Sequence, residues 1–146
     1  MKILTRVLGE IEVSEKQKIF IEEGLFGLED VQEYVLLNSS EDSPFYWLQA
    51  VEIPEIAFLL VDPTLVMEDY KLSVVEGDLE SIGLKEDGDY LLFSIVNLNN
   101  DPAKTTANLL GPLVINKENH KAKQVISTNE KYSVRQPLHS EKEGAC

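Results

Sequence analysis

The sequence predicts an all-β fold, a small antiparallel β-barrel or sandwich that forms a single domain with one short helix. Short segments rich in β-branched and aromatic residues recur at close spacing, with turn residues between them. Only one segment has a helical pattern, and many strands with one helix indicate an antiparallel barrel or sandwich. With 146 residues, of which 43% are hydrophobic, the chain can bury one core without disulfides or metals.

The predicted strands follow one another closely along the chain. The first two form a hairpin around Gly9, with strands at residues 5–7 and 11–13. Further strands are predicted at residues 18–21, 33–37, 46–51, 56–61, 70–74, 90–98, 109–115, 123–127 and 131–135. We predict the helix at residues 76–84 and a shorter turn at residues 28–32.

The stretch TTANLLGPLVIN, residues 105–116, is an apolar run broken by Gly111-Pro112. Proline cannot donate to a strand ladder, so inside a strand it is tolerated at an edge or a bulge. We therefore expect two short strand pieces about a bulge, in a kinked core strand that closes the barrel. Thr105, Thr106 and Asn108 offer short polar groups that can satisfy the backbone at the bulge.

The ends of the chain carry further signals. The first residues lack the continuous apolar region of a signal peptide, and no stretch approaches the ~20 apolar residues of a membrane span, so we expect a cytoplasmic protein without membrane contact. After Pro137 the apolar pattern stops. We accordingly expect a β domain over residues 1–138 and a flexible C-terminal tail over residues 139–146. Cys146 is the one cysteine, so an internal disulfide is excluded.

The formal net charge of −13 is concentrated in the body of the chain. Residues 10–101 hold 22 Asp and Glu against 4 Lys, which leaves a local balance of −18. Such a field repels nucleic acids and anionic lipids and favours encounters with basic proteins, although acidity also serves solubility. The lysine-rich residues 117–123 contain no aromatic side chain for base stacking. Direct nucleic-acid binding is therefore disfavoured.

Residues suited to catalysis or metal binding are poorly placed. His120 falls in a turn and His139 in the tail, and no zinc spacing, phosphate-binding loop or hydrolase motif occurs. Acidic pairs such as Glu41-Asp42, Glu68-Asp69 and Glu86-Asp87 fall in turn-like contexts. A hydrolase or isomerase that uses a carboxylate pair is therefore disfavoured. We predict a protein that is not an enzyme and holds no cofactor or metal.

Aromatic and acidic residues suggest a surface for protein partners. In PFYW, residues 44–47, alternate side chains face opposite ways, so we expect two of the three rings in the core and the third in an interface ringed by carboxylates. Two Asp-Pro steps end strands and are expected to share an edge of the sheet. The candidate contact residues are Glu41, Asp42, Phe45, Trp47, Asp62, Pro63, Asp101, Thr106 and Asn108.

Several segments together resemble a known family. TTANLLGPLVIN, KQVI and YSVRQPL, with SPFYWLQAVEIPEIAFLLVDP upstream, are similar in order and spacing to the FliW family of flagellar assembly factors. The resemblance covers nearly the whole chain, from Gly9-Glu10-Ile11 to Tyr132–Arg135. It implies a small cytoplasmic all-β protein without enzymatic activity.

The resemblance also implies two protein partners. It implies that the protein binds flagellin and also binds CsrA, the RNA-binding translational repressor, whose repression of flagellin messenger RNA it lifts once flagellin is exported. An alternative is an acidic nucleic-acid mimic that competes directly for the RNA site of a basic protein. We expect the free protein to be a monomer.

Overall fold

The computed structural model describes residues 1–85 and 87–138. Its strands are β1 Lys2–Leu4, β2 Glu10–Glu12, β3 Lys18–Phe20, β4 Glu33–Asn38, β5 Phe45–Ala50, β6 Ala57–Val61, β7 Tyr90–Asn97, β8 Thr106–Ala107, β9 Leu113–Asn116, β10 Ala122–Gln124 and β11 Gln136–Pro137. In these residues one α-helix, α1, covers Pro63–Val66, and short 3-10 helices cover Glu15–Gln17, Glu80–Ile82 and Pro102–Lys104. The expected tail at residues 139–146 lies outside the described residues.

Nine strands form the main sheet, while β1 and β2 pair separately as a hairpin. The main path runs β10-β9-β7-β6-β5-β4-β3, and β8 lies between β7 and β11. Every pair of named strands is antiparallel. The ends of the path approach each other at an isolated bridge between Phe20 and Lys121, next to which the Phe20 N–H donates to the His120 carbonyl over 3.0 Å. The antiparallel all-β prediction is confirmed, but the sheet is not a closed barrel.

The main core lies on one face of the curled sheet. Alternate residues of the central strands enter it, and the residues with the least exposure include Tyr34, Leu48, Leu60, Leu113 and Ile115. Each fully buried side chain of this size contributes roughly 1.5–3 kcal/mol through the hydrophobic effect. The opposite face carries smaller clusters, one of which lies under the β1–β2 hairpin. Position along a strand therefore decides which cluster a side chain enters.

The strand predictions for β3 to β7 are confirmed to within a residue or two. The opening hairpin is displaced towards the N-terminus, because the Thr5 N–H donates to Gly9 O over 2.8 Å and the Leu8 N–H donates to Thr5 Oγ1 over the same distance. Thr5 thus begins the turn. The strands predicted at residues 70–74 and 131–135 are wrong.

Residues 70–74 contact residues 128–132 outside the sheet, through isolated hydrogen bonds and a ring stack. The Lys71 N–H donates to the Tyr132 hydroxyl over 3.1 Å, and the Tyr70 and Tyr132 rings stack with centroids 4.4 Å apart. The Thr128 N–H likewise donates to Ser73 O over 2.7 Å. These isolated hydrogen bonds and the stacked rings are found where a strand pair would have a regular ladder of backbone hydrogen bonds.

The position predicted for the helix is also wrong. Residues 76–84 form successive tight turns and one 3-10 segment, in which the apolar Leu79 and Ile82 pack against Val114 and Val125. A spacing of three suits 3-10 geometry, where residues i and i+3 lie one above the other. The short helix α1 follows β6 instead, with Pro63 at its first position.

Within the described ranges, none of the helices has the length and hydropathy that crossing a membrane requires.

Candidate protein-binding surface

The candidate contact residues from the sequence do not form one surface. Glu41 and Asp42 are exposed in the turn between β4 and β5, at the edge where β6 ends and Asp62 follows. Asp101 follows β7, which is antiparallel to β6, so the two Asp-Pro steps lie at opposite edges of the sheet. Val61, which precedes Asp62, pairs with Ser94, whereas Thr106 pairs with Asn97. Ser94 and Asn97 are three residues apart, so these two points lie about 10 Å from each other along β7. The expectation of a shared edge is wrong.

Phe45, Tyr46 and Trp47 alternate between the two faces of β5. Tyr46 enters the main core, where its ring centroid lies 5.2 Å from that of Phe93. Phe45 and Trp47 occupy the opposite face, half-buried, and pack against two different clusters there. Each of the three rings is therefore partly buried in a core cluster, and none of them is a fully exposed aromatic anchor.

The Asp-Pro steps serve as helix caps. Asp62 Oδ1 accepts from the Thr64 N–H over 2.9 Å and from the Thr64 hydroxyl over 2.7 Å, and Asp101 Oδ1 accepts from the Ala103 N–H over 3.0 Å. Both aspartates stay exposed, but Pro63 is buried and cannot present a contact surface, which corrects its place among the candidates. These residues build local structure in the way that N-caps do.

The break in TTANLLGPLVIN is a five-residue bulge against β7. Ala107 pairs with Val96, and Leu113 pairs with Phe93, so residues 108–112 face only the two residues between those partners. Asn108 Oδ1 accepts from the Leu110 N–H over 3.1 Å and from the Gly111 N–H over 2.8 Å. The predicted pair of strand pieces about a bulge, with Asn108 satisfying its backbone, is confirmed.

Gln124 ties this bulge to a second loop. Its side chain is 7% exposed; Nε2 donates to Gly111 O over 3.0 Å, and Oε1 accepts from the Phe26 N–H over 2.9 Å. The loop turns at Gly24, which has a φ of +69° and where an added Cβ would lie 2.5 Å from the Glu29 Cα atom. Only glycine fits there. The backbone of Phe26 is therefore held at a fixed position beside the bulge.

An open groove of 620 Å³ lies over these two loops. Five apolar side chains line it. Phe26 is 55% exposed, Val75 64% and Ile126 51%, while Leu110 on the bulge is half-buried and Val125 is buried. Apolar side chains of this size usually gain from burial. We call Phe26, Val75, Leu110 and Ile126 the apolar groove.

Charged side chains line the same groove. The Lys123 ammonium lies 2.9 Å from Asp78 Oδ1 and 3.4 Å from Glu23 Oε2, and it also donates to Asp78 O over 2.8 Å. The hydrogen bond with Asp78 raises the pKa of Lys123, the attraction of both carboxylates adds to this, and burial opposes it. With Glu130, the groove has three carboxylates against one ammonium that is already paired.

Histidine and carboxylate side chains are not clustered as metal ligands in the part of the chain that the structure describes. No group of three or more His, Cys, Asp or Glu residues there is arranged to hold a metal ion. His120 is in a turn with a φ of 60°, and its carbonyl accepts from Phe20. His139 and Cys146 lie outside the described residues.

Sequence reasoning missed the apolar groove. Ile126 and Leu110 were expected in strands, and nothing marked Val75 as exposed. One signal was present in GLFGL, because two apolar residues between glycines form a turn that cannot bury both. The structure buries Leu25, which is 2% exposed, and leaves Phe26 outside.

Fold and surface define a small antiparallel β protein with an acidic exterior, and comparison with known proteins then assigns its family. A family model described as FliW protein matches residues 2–138. The chain belongs to the FliW family.

Relatives and a solved structure match over nearly the full chain. The flagellar assembly factor FliW of Leptospira interrogans is 39% identical over 139 residues, covering 94% of this chain and 93% of the relative. That of Treponema denticola is 34% identical over 141 residues, covering 97% and 95%. A crystal structure of the flagellar assembly factor FliW superposes with a TM-score of 0.87 at 35% identity, covering 97% of this chain and 99% of the other.

Proposed function

We propose that this chain is a cytoplasmic, non-enzymatic flagellar assembly factor that binds the translational repressor CsrA and, alternatively, flagellin. Bound to flagellin it is withheld from CsrA, and when flagellin is exported the freed protein binds CsrA and relieves repression of flagellin messenger RNA. The observation that carries the proposal is the match to the FliW family over residues 2–138.

The charge of the molecule supports a basic protein partner. Of the Asp and Glu side chains that the structure describes, four take part in ion pairs, namely Glu12, Glu15, Glu23 and Asp78. Most of the remaining carboxylates that the structure describes are exposed to solvent, where a partner can reach them, in a chain of net charge −13. Steering by such a field raises association rates with a cationic protein and repels RNA.

Relief of repression requires a loss of RNA affinity by CsrA, not occupation of its RNA site. A coupling free energy of about 1–3 kcal/mol between two sites weakens binding about 5- to 150-fold. An acidic protein bound beside a phosphate-binding surface supplies repulsion of this kind, since RNA binding depends on phosphate neutralisation. A ternary complex at high RNA concentration distinguishes this mechanism from strict mimicry of RNA.

Calorimetric titration of the purified chain against CsrA and against flagellin tests the proposal. We expect saturable binding to each and mutual exclusion when both are present. Absence of binding to both partners would refute it. Titrating the chain into a CsrA–RNA complex then separates the mechanisms, because a pure competitor leaves no ternary complex at any RNA concentration.

Charge reversal tests steering by the turn between β4 and β5. The double variant Glu41→Lys/Asp42→Lys should associate with CsrA about 3- to 10-fold more slowly at low salt and show a flatter salt dependence. The matched control is Glu68→Lys/Asp69→Lys, whose two positions are also exposed. Stopped-flow measurements at several salt concentrations give both quantities. Equal rates for the two variants would show that this turn has no special part in steering.

A further inference from the structure

We propose that the apolar groove is the docking site for a basic amphipathic segment of a protein partner. The segment would place apolar side chains against Phe26 and Ile126 and direct lysine or arginine towards Glu23, Asp78 and Glu130. This inference rests on the proposed function and deepens it, because it assigns where a basic protein partner binds.

The groove is a built feature of the fold. Phe26 is 55% exposed although its neighbour Leu25 is 2% exposed, and the turn that separates them depends on Gly24 and on the buried side chain of Gln124. The same Gln124 side chain fixes the bulge that carries Leu110. A pre-formed apolar surface binds at a lower entropic cost than one that must be ordered by its partner.

Recognition at this site depends on side chains. The backbone donors beside the groove are used inside the protein, since the Val125 N–H donates to Pro112 O, the Ser127 N–H to Leu110 O and the Thr128 N–H to Ser73 O. An added strand would find few free backbone groups on this segment. An amphipathic helix that inserts apolar side chains is the recognition mode that fits.

Charge selects the occupant. The groove has a formal balance of −2, from Glu23, Asp78 and Glu130 against Lys123, and Lys123 is already paired with two of these carboxylates. A second copy of this chain would bring another −13 against it. A segment with a basic rim and an apolar face is therefore favoured over self-association and over nucleic acid.

The test uses the variant Phe26→Ala/Ile126→Ala and the matched control Leu65→Ala/Leu98→Ala. The control residues are each 64% exposed and lie outside the groove. Calorimetry measures binding of each protein to CsrA, to flagellin and to a synthetic peptide helix with leucine on one face and lysine on the other. Circular dichroism and urea titration confirm that both variants are folded.

We expect the groove variant to lose about tenfold or more in affinity for the peptide and for at least one of the two proteins, while the control stays within about twofold. A peptide in which glutamate replaces lysine should bind neither variant nor the wild type. In a separate protein, the charge reversal Glu130→Lys should also weaken binding of the lysine peptide relative to the wild type. Glu55→Lys is its control.

The outcomes separate this inference from the proposed function. If CsrA and flagellin each bind the wild type and the groove variant equally, the docking site is wrong while the proposed function stands. If neither protein binds the wild type, the proposed function fails, and the lysine peptide alone then decides: loss of its binding in the groove variant supports the site, and equal or absent binding overturns it. A wild-type dimer in sedimentation that dissociates in the groove variant also overturns it.

Discussion

Replacement of Gln124 by methionine tests whether one side chain holds the bulge and the Phe26 loop together. Methionine keeps a similar volume but neither donates to Gly111 O nor accepts from the Phe26 N–H, bonds of 3.0 Å and 2.9 Å in the structure. A buried polar group left without a partner costs about 1–3 kcal/mol. Gly111 O is buried and should cost towards the upper figure, whereas the Phe26 N–H is only partly buried and water can reach it.

The expected loss in the free energy of unfolding is therefore about 2–4 kcal/mol. Urea titration followed by tryptophan fluorescence measures it, with the slope checked against the wild type. Gln49→Met is the control, because Gln49 is also buried at 1% exposure, accepts from the Arg6 N–H over 2.9 Å and lies away from the groove.

Both glutamine variants should lose stability, but only Gln124→Met should also weaken binding of the leucine–lysine peptide under conditions where it is fully folded. A loss below about 1 kcal/mol for Gln124→Met would refute the assignment of the two bonds. Equal peptide affinity for the two variants would refute the claim that Gln124 positions Phe26.

Two further substitutions address local structure. Gly24→Ala should cost about 3 kcal/mol or more in urea titration, because its Cβ would lie 2.5 Å from the Glu29 Cα atom, whereas Gly9→Ala at a similar φ with nothing within 4 Å should cost only about 1–2 kcal/mol; equal costs would contradict the steric argument. Tyr34→Phe should raise the free energy of unfolding by about 1–3 kcal/mol at pH 7, since it removes a buried hydroxyl that has no partner among the described residues.

Burial also raises the pKa of Tyr34 from 10.0 to about 12. The folded state thus favours the neutral hydroxyl, and the free energy of unfolding that depends on this preference is fully present below pH 10 and is lost as the pH rises through about 12. Wild type should therefore lose more stability than Tyr34→Phe between these values, as urea titrations at each pH would measure. Parallel curves would contradict this.

Local sequence was sufficient where a segment's own pattern decides its structure. The Gly111-Pro112 step forces a break in any strand, and the short side chain of Asn108 lies close enough to satisfy the freed N–H groups, so the bulge was predictable. Its width was not predictable, because it depends on the register of both strand pieces against β7. Residues 70–74 have strand-like composition but contact Thr128 and Tyr132 through isolated hydrogen bonds and a ring stack that no local pattern encodes.

The candidate contact residues do not lie together for a related reason. Charge and loop position identified Asp62 and Asp101 correctly as exposed, yet antiparallel pairing of β6 and β7 places them at opposite edges. The exposure of Phe26 depends on a hydrogen bond to Gln124, 98 residues away. Residues whose placement depends on such distant partners cannot be found from their own sequence neighbourhood.

Charge and groove are expected to act on different steps of binding. The acidic residues are spread over residues 10–101, so their field guides a basic partner to the molecule without selecting one site. Phe26 and Ile126 act only at contact, where burial of their exposed area slows dissociation. Raising the salt concentration should therefore lower the association rate for wild type and the groove variant alike, while the difference in dissociation rate between them persists.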